Sequence, residues 1–510
     1  MGLALTVNAA STAGITVTTA ADIAADDGDC SLREAIQAAN TDSAVGGCVA
    51  GSDTDTINFA IPGDGPHIIQ VTSALPIITT PIEIDGYSQS GAQPNTNPAP
   101  QGLNTILKIM LDGSQLAAPA NVAGLTITGG DSTVRGLAIG NFDIGIAINT
   151  NGSNTLAGNF IGTNISGTVA APNAGNGISI TTSSNTIGYG FESVPANRNL
   201  ISGNGGDGVL LDGDSTNFTN LNGNIIGTDL SATMALGNGE SGVSVLESPF
   251  ATNVKDNVIA ANEAWGIRIE NSSSSTTMAN NLIGTNEQGD DLGNQKDGIL
   301  ARNSGPQTIG GTYTADGCCV GNTIAFNKGN GVSIRADINV SLEKGILSNR
   351  IYANGGLGID LRDDGVTLND LGDADGENDA NHLQNFPVLT AANVVASNIT
   401  ITGTLNTIAD TGYRIEFFAN DACDPSGYGE GQRYLGAQRV TTDDSGNVDF
   451  TVTLTETVPS MAQVGNQITA LASDAAGNTS EFSLCIPATG EVVQTFNDDI
   501  FMPSLWGKIE

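Results

Sequence analysis

The chain has 510 residues, room for two or three domains, and its 54 acidic against 17 basic residues give a formal charge of −37. Such a surface repels nucleic acid and anionic membranes and attracts divalent cations, and no apolar run of about eighteen residues offers a membrane span. Only 14% of residues are charged and 39% are apolar, which excludes a disordered polyelectrolyte.

Residues 1–14 read as the tail of a secretory leader, with Val7-x-Ala9 as a small-residue cleavage site; an ordinary first strand is the alternative. Residues 15–120 are expected to hold a cap helix and the first coils of a repeat fold. Ser31 and Glu34 have capping-box spacing, and Leu32, Ala35, Ile36 and Ala39 fall on one helical face. Stacked coils leave an apolar end open, and a short amphipathic helix is a way to cover it. The run Cys30-Ser-Leu-Arg-Glu-Ala-Ile resembles the signature of the CSLREA-type N-terminal domain of secreted bacterial β-helix proteins. The helical stretch is also similar to the cap of the pectin-lyase-like superfamily. These resemblances imply a secreted or cell-surface right-handed parallel β-helix, and they bring no agreed activity with them.

Residues 121–385 carry the repeat. A glycine followed by alternating apolar residues recurs at Gly145, Gly177, Gly208, Gly242, Gly266, Gly298, Gly331 and Gly358, at spacings of 32, 31, 34, 24, 32, 33 and 27. A second phrase, Asn-x-apolar, starts at Asn159, Asn199, Asn224, Asn257, Asn281, Asn322 and Asn349, and a shorter apolar beat precedes it at Leu156, Ile187, Leu221, Val254, Met278 and Ile309. Three short strands per period, with Gly or Asn at corners that need a left-handed backbone, describe one coil of a parallel β-helix. The stacked Asn are expected to bond in a ladder. The distance from Asn to the next phrase glycine alternates: 18, 9, 18, 9, 17, 9 and 9. A projecting loop on every other coil is therefore expected on one face, and such insertions often mark a binding face.

In each glycine phrase the third and fifth residues should face outward. In the last coils these include Arg268, Glu270, Arg302, Arg335, Asp360 and Arg362. Stacked in register, Arg302, Arg335 and Arg362 would lie roughly 4.8 Å apart, which is unfavourable without acidic neighbours or an anionic ligand. Arg268, Arg302, Arg335 and Arg362 are thus candidate glycan-binding residues. In a lyase on this fold, Arg302 or Arg335 would take the proton alpha to a uronate carboxylate beside Glu270. The plainer alternative is a ladder salt-bridged to Glu270, Asp360, Asp363 and Asp364.

Asp373, Asp375, Glu377 and Asp379 alternate as oxygen ligands around calcium often do, although the glycine position is not that of an EF-hand; a solvated acidic linker is the alternative. Residues 386–487 change to ordinary alternating strands separated by Asp-Ser-Gly-Asn and Asp-Ala-Ala-Gly-Asn turns, a β-sandwich that resembles bacterial Ig-like modules. Residues 488–510 form a tail that is either an attachment strand for self-association or a docked terminus. Cys30 and Cys48 flank the helix, and Cys423 and Cys485 bracket the C-terminal strands. Two local disulfides follow, with an oxidising, extracellular setting; Cys318 and Cys319 are left over.

The expected fold is all-β: a right-handed parallel β-helix with an N-terminal helical cap, followed by a sandwich. His67 and His382 are the only histidines and are far apart, so a His-based triad or zinc site has no support. Aromatics are 5% of residues, few for clefts that stack sugar rings. The leading functional expectation is a secreted or surface adhesive protein, calcium-stabilised, whose partner is a polysaccharide or another cell-surface component. The alternative is a polysaccharide lyase or glycoside hydrolase acting on an acidic polysaccharide.

Overall fold

A computed structural model of the chain describes residues 12–118, 120–247, 252–272, 275–311, 321–336, 343–375, 379–455 and 462–490. Three parallel sheets of 11, 10 and 9 strands wind through it. The first runs from Thr12–Val17 to Lys344–Leu347, the second from His67–Gln70 to Arg350–Tyr352, and the third from Ala123–Ile127 to Ile359–Leu361. Each coil contributes one strand to each sheet, giving a right-handed parallel β-helix, the hand that parallel crossovers favour. The first strand reaches back to Thr12, into the stretch assigned from sequence to the leader.

Period-two alternation sets the core. Ile178, Val209, Val243, Ile267, Ile299, Val332 and Ile359 are successive register partners on the third sheet and point inward. Leu156, Ile187, Leu221, Val254, Met278, Ile309 and Ile346 do the same on the first. Each buried aliphatic side chain contributes about 2 kcal/mol, so the apolar stack dominates the stability of every coil. The cap helix (Leu32–Thr41) closes its N-terminal end. Ser31 and Glu34 form the expected capping box, and Leu32, Ala35, Ile36 and Ala39 join the same apolar cluster as Ile15 and Val17.

The Asn ladder forms as expected. Asn159 Nδ2 donates to Asn199 Oδ1, and the chain of amides continues through Asn224, Asn257, Asn281 and Asn322 to Asn349 at 2.9–3.1 Å beyond the first step of 3.3 Å. A second ladder runs parallel to it at the other end of the second sheet, through Asn173, Asn204, Asn238, Asn262, Asn294, Asn327 and Asn354.

The reason for the glycines and asparagines differs from the expected one. Neither the ladder Asn nor the phrase glycines are left-handed; that backbone belongs to residues just before the first ladder, including Gly158, Gly223, Asp256, Asn280 and Ser348. The phrase glycines are needed for close approach instead. A Cβ on Gly266 would lie 2.6 Å from the Gly298 carbonyl and 2.9 Å from the Asn294 amide.

The long corners also do something other than frame an open face. They fold over the outer side of the second sheet, where Phe160, Leu200, Ile225 and Val258 form a separate apolar cluster with Ile165, Leu230 and Leu292 from those corners. The 88–104 loop lies on the same side, held by Leu103 N donating to Leu230 O and by the buried Arg198 donating to Asn97 O and Pro98 O. This face is occupied by the chain's own residues.

Two four-stranded sheets between Val388 and Gly490 make the C-terminal sandwich. It closes the open end of the last coil. Phe418, Leu471 and Phe482 enter the β-helix core cluster. Gly431 and Ile351 exchange both backbone hydrogen bonds. Three sandwich glutamates meet the three sheets: Glu416 accepts from Ser348 N, Glu430 from Asn354 N and Glu481 from Leu361 N. Cys30–Cys48 and Cys423–Cys485 are disulfides, as expected. Cys318, Cys319 and the tail from 491 fall outside the described residues, and no described helix is long and apolar enough to cross a membrane.

Candidate functional site

With the second sheet covered, the third sheet presents the charged face. Its outward residues form two columns. Ser244, Arg268, Leu300, Ser333 and Asp360 are register partners in one, and Glu270, Arg302 and Arg335 in the other. The expected neighbours Arg302 and Arg335 are thus directly adjacent. Arg362 is not: its φ of 79° turns it out of the strand, and it pairs with Asp379 at 2.5 Å.

The like charges are offset by carboxylates. Glu270 holds Arg268 at 2.6 Å and Arg302 at 3.9 Å, while Arg335 pairs with Asp363. The hydrogen bond that Arg268 donates to Glu270 raises its pKa above the usual guanidinium value, so it stays charged. An arginine bound in this way is a poor proton acceptor and a good anion ligand. Arg302 and Arg335 keep side chains 44% and 33% exposed, enough to reach a ligand above the sheet.

The corners leading into these strands add groups that sequence spacing did not bring forward. Asp207 accepts from Ser244 Oγ and Ser241 N at 2.9 Å, and burial raises its pKa. Asp297 takes the Trp265 indole N–H at 3.1 Å and the Asn330 N–H at 2.8 Å. The Trp265 ring carries Lys296 Nζ at 3.7 Å from its centroid and the Arg268 guanidinium at 5.3 Å. Asn330 Nδ2 bridges Asp360 and Asp363 at 3.1 Å each. Burial first, and Asp363 second, push Asp360 up to about 6, whereas burial raises Asp363 against the pull of Arg335. Two linked carboxylates in unequal settings are an arrangement that can separate an acid from a base.

Asp207, Asp297 and Asp363 precede or follow the strands by variable distances, so only the fold collects them. Trp265 had a usable signal: it sits one residue before a phrase glycine.

The acidic segment forms its own cluster. Carboxylate oxygens of Asp370, Asp373 and Asp375 lie within 4.8 Å of one another. Asp373 accepts from Thr407 Oγ1 and Asn385 N, and burial lifts it to about 6, with Asp370 and Asp375 adding repulsion. Asp370 takes a place that sequence spacing gave to Asp379, which faces Arg362; Glu377 lies outside the described residues.

No family model matches the chain. Among solved structures it is similar to the full-length tailspike protein 2 from Escherichia coli O157:H7 bacteriophage CAB120, at 12% identity over 85% of this chain and 64% of that one, with a TM-score of 0.31. It is also similar to pectate lyase Pel9A, at 12% identity over 68% and 80%, TM-score 0.32. A third is the alginate lyase from Paenibacillus sp. str. FPU-7, at 12% over 66% and 94%, TM-score 0.18. The chain spans under two thirds of that tailspike. These scores are low, and the fold assignment rests on the chain's own three sheets.

Proposed function

We propose that the protein is an extracellular β-helix that binds an anionic polysaccharide along the outer face of the third sheet. The observation carrying this is the row of Arg268, Arg302 and Arg335 beside Trp265, in a chain of charge −37. Cations kept on one face of so acidic a molecule suit a carboxylated or sulfated chain, and Trp265 helps to hold Arg268 and Lys296 there. Adhesion to a cell surface is the biological reading of such binding. Secretion, hinted at by the two disulfides, and the CSLREA and Ig-like resemblances belong to the same proposal, as does the division into cap, coils and a closing sandwich over 386–487.

Calcium is the cation that the Asp370–Asp373–Asp375 cluster would take, since three carboxylates are hard oxygen donors. It would supply charge neutralisation for a segment that otherwise repels itself.

A second reading is chain cleavage, favoured by the Asp360–Asp363 pair with Asp360 at about 6. A protonated Asp360 would serve as general acid and Asp363 as base or nucleophile. The test is incubation of the protein with pectate, alginate, hyaluronan and neutral glucans, with and without calcium. Retention of an acidic polymer without new reducing ends or unsaturated products supports binding alone. New ends that vanish in Asp360→Asn establish cleavage. Failure to retain any acidic polymer rejects the proposal.

A further inference from the structure

A hollow of about 130 Å³ opens on the outer side of the first sheet, away from the charged row. Its floor is a grid of outward side chains on two neighbouring strands: Asn220 and Asn222 on one, Asn253 and Lys255 on the next, paired Asn220 to Asn253 and Asn222 to Lys255. Strand geometry sets them roughly 4.8 Å apart across the strands and 6.6 Å along them. The segment after the preceding coil's strand makes the wall, with Tyr189 and Phe191.

Two features of this hollow, Phe191 and the Asn222 amide oxygen, have no evident structural use, and a third, Tyr189, is fixed in place. Phe191 is 98% exposed, so its ring is left open to solvent among the described residues. Asn222 is 4% exposed and donates to Tyr189 O and Gly190 O, but its Oδ1 is buried with no hydrogen-bond partner among the described residues. A buried acceptor left so is destabilising until a donor reaches it. The Tyr189 ring is held flat by Gly223, where a Cβ would lie 2.0 Å from it, and its hydroxyl is fixed on Asp256 at 3.0 Å.

We propose that this hollow is a carbohydrate-binding site for one hydroxylated pyranose ring of a glycan. The Asn and Lys side chains of this grid offer both donors and acceptors to sugar hydroxyls, which themselves donate and accept. The volume fits one ring. Phe191 supplies an apolar face for the ring's C–H groups, and a hydroxyl donating to Asn222 Oδ1 completes that amide. The site lies on a different sheet from the arginine row and does not depend on it.

The test is saturation-transfer NMR on the full chain with glucose, galactose, mannose, N-acetylglucosamine and galacturonate. At least one sugar is expected to take up saturation. Phe191→Ala, which removes an exposed ring and leaves the fold alone, is expected to weaken that binding tenfold or more. Asn253→Ala with Lys255→Met serves as a second variant with the same expected loss. Arg302→Ala with Arg335→Ala is expected to leave it unchanged, which separates this site from polymer binding at the third sheet. No transfer to any of the five sugars overturns the proposal, and so does transfer that survives both hollow variants.

Discussion

Asn257 illustrates how much a single ladder residue holds. Its amide donates to Leu221 O and Asn281 Oδ1, and its Oδ1 accepts from both the N–H and the side chain of Asn224. Alanine there leaves a buried backbone N–H without an acceptor and breaks the chain of amides. Asn257→Ala is therefore expected to cost about 3 kcal/mol, read as a lowered midpoint in chemical denaturation. Arg302 behaves differently because it is half exposed and 3.9 Å from Glu270. Replacing Arg302 and Arg335 by alanine is expected to abolish binding of an acidic polymer while stability falls by about 1 kcal/mol or less per pair. The lost binding should also have been salt-sensitive in the parent, since exposed charges are screened beyond about 8 Å at physiological ionic strength. A large melting shift with binding intact would reverse these roles.

Individual coils were legible because each depends on local rules. Alternation marks a strand wherever one face is buried, and the glycine and Asn phrases gave the third and second sheets their positions. The capping box of Ser31 and Glu34 was equally local. Corner direction was not: a count of residues between Asn159 and Gly177 says that a loop exists, not that Ile165 will turn down onto Phe160. The second Asn ladder escaped for a similar reason, since Asn173, Asn204 and Asn238 follow insertions of different length. The acidic segment lies between these cases, with Asp373 and Asp375 legible by spacing and Asp370 joined to them by the turn. If calcium binds there, saturating calcium at about a hundred times its dissociation constant should add about 2.7 kcal/mol to stability. EDTA should lower Tm, and Asp370→Asn with Asp373→Asn should remove the response. A Tm indifferent to EDTA would leave the segment as a solvated linker.

In the whole molecule the C-terminal sandwich is the lid on the last coil. A β-helix end exposes unpaired N–H groups and an apolar interior, and here Glu416, Glu430, Glu481 and Phe482 answer both needs. Their burial sets a pH dependence. Burial pushes Glu430 up to about 7 and Glu481 up to about 8, and it raises Glu416 against the opposing pull of Arg414. Asp424 adds to the rise at Glu430, and Asp360 to that at Glu481. Folded pKa values above the unfolded ones mean that the closed end holds protons the unfolded chain would release. Their contribution is therefore greatest near and below the ordinary glutamate range and is lost as pH rises through about 7 to 8. Melting followed from pH 5 to pH 9 should show the sandwich end weakening across that window. Glu481 accepts from Leu361 N and Thr367 N, and glutamine keeps one of these acceptors without a charge to bury, so Glu481→Gln should flatten the profile, gaining on the parent by on the order of 2 kcal/mol between pH 5 and pH 9. A variant that loses stability equally at pH 5 and pH 9 would mean that Glu481 is charged throughout and that its carboxylate, not its proton, closes the helix.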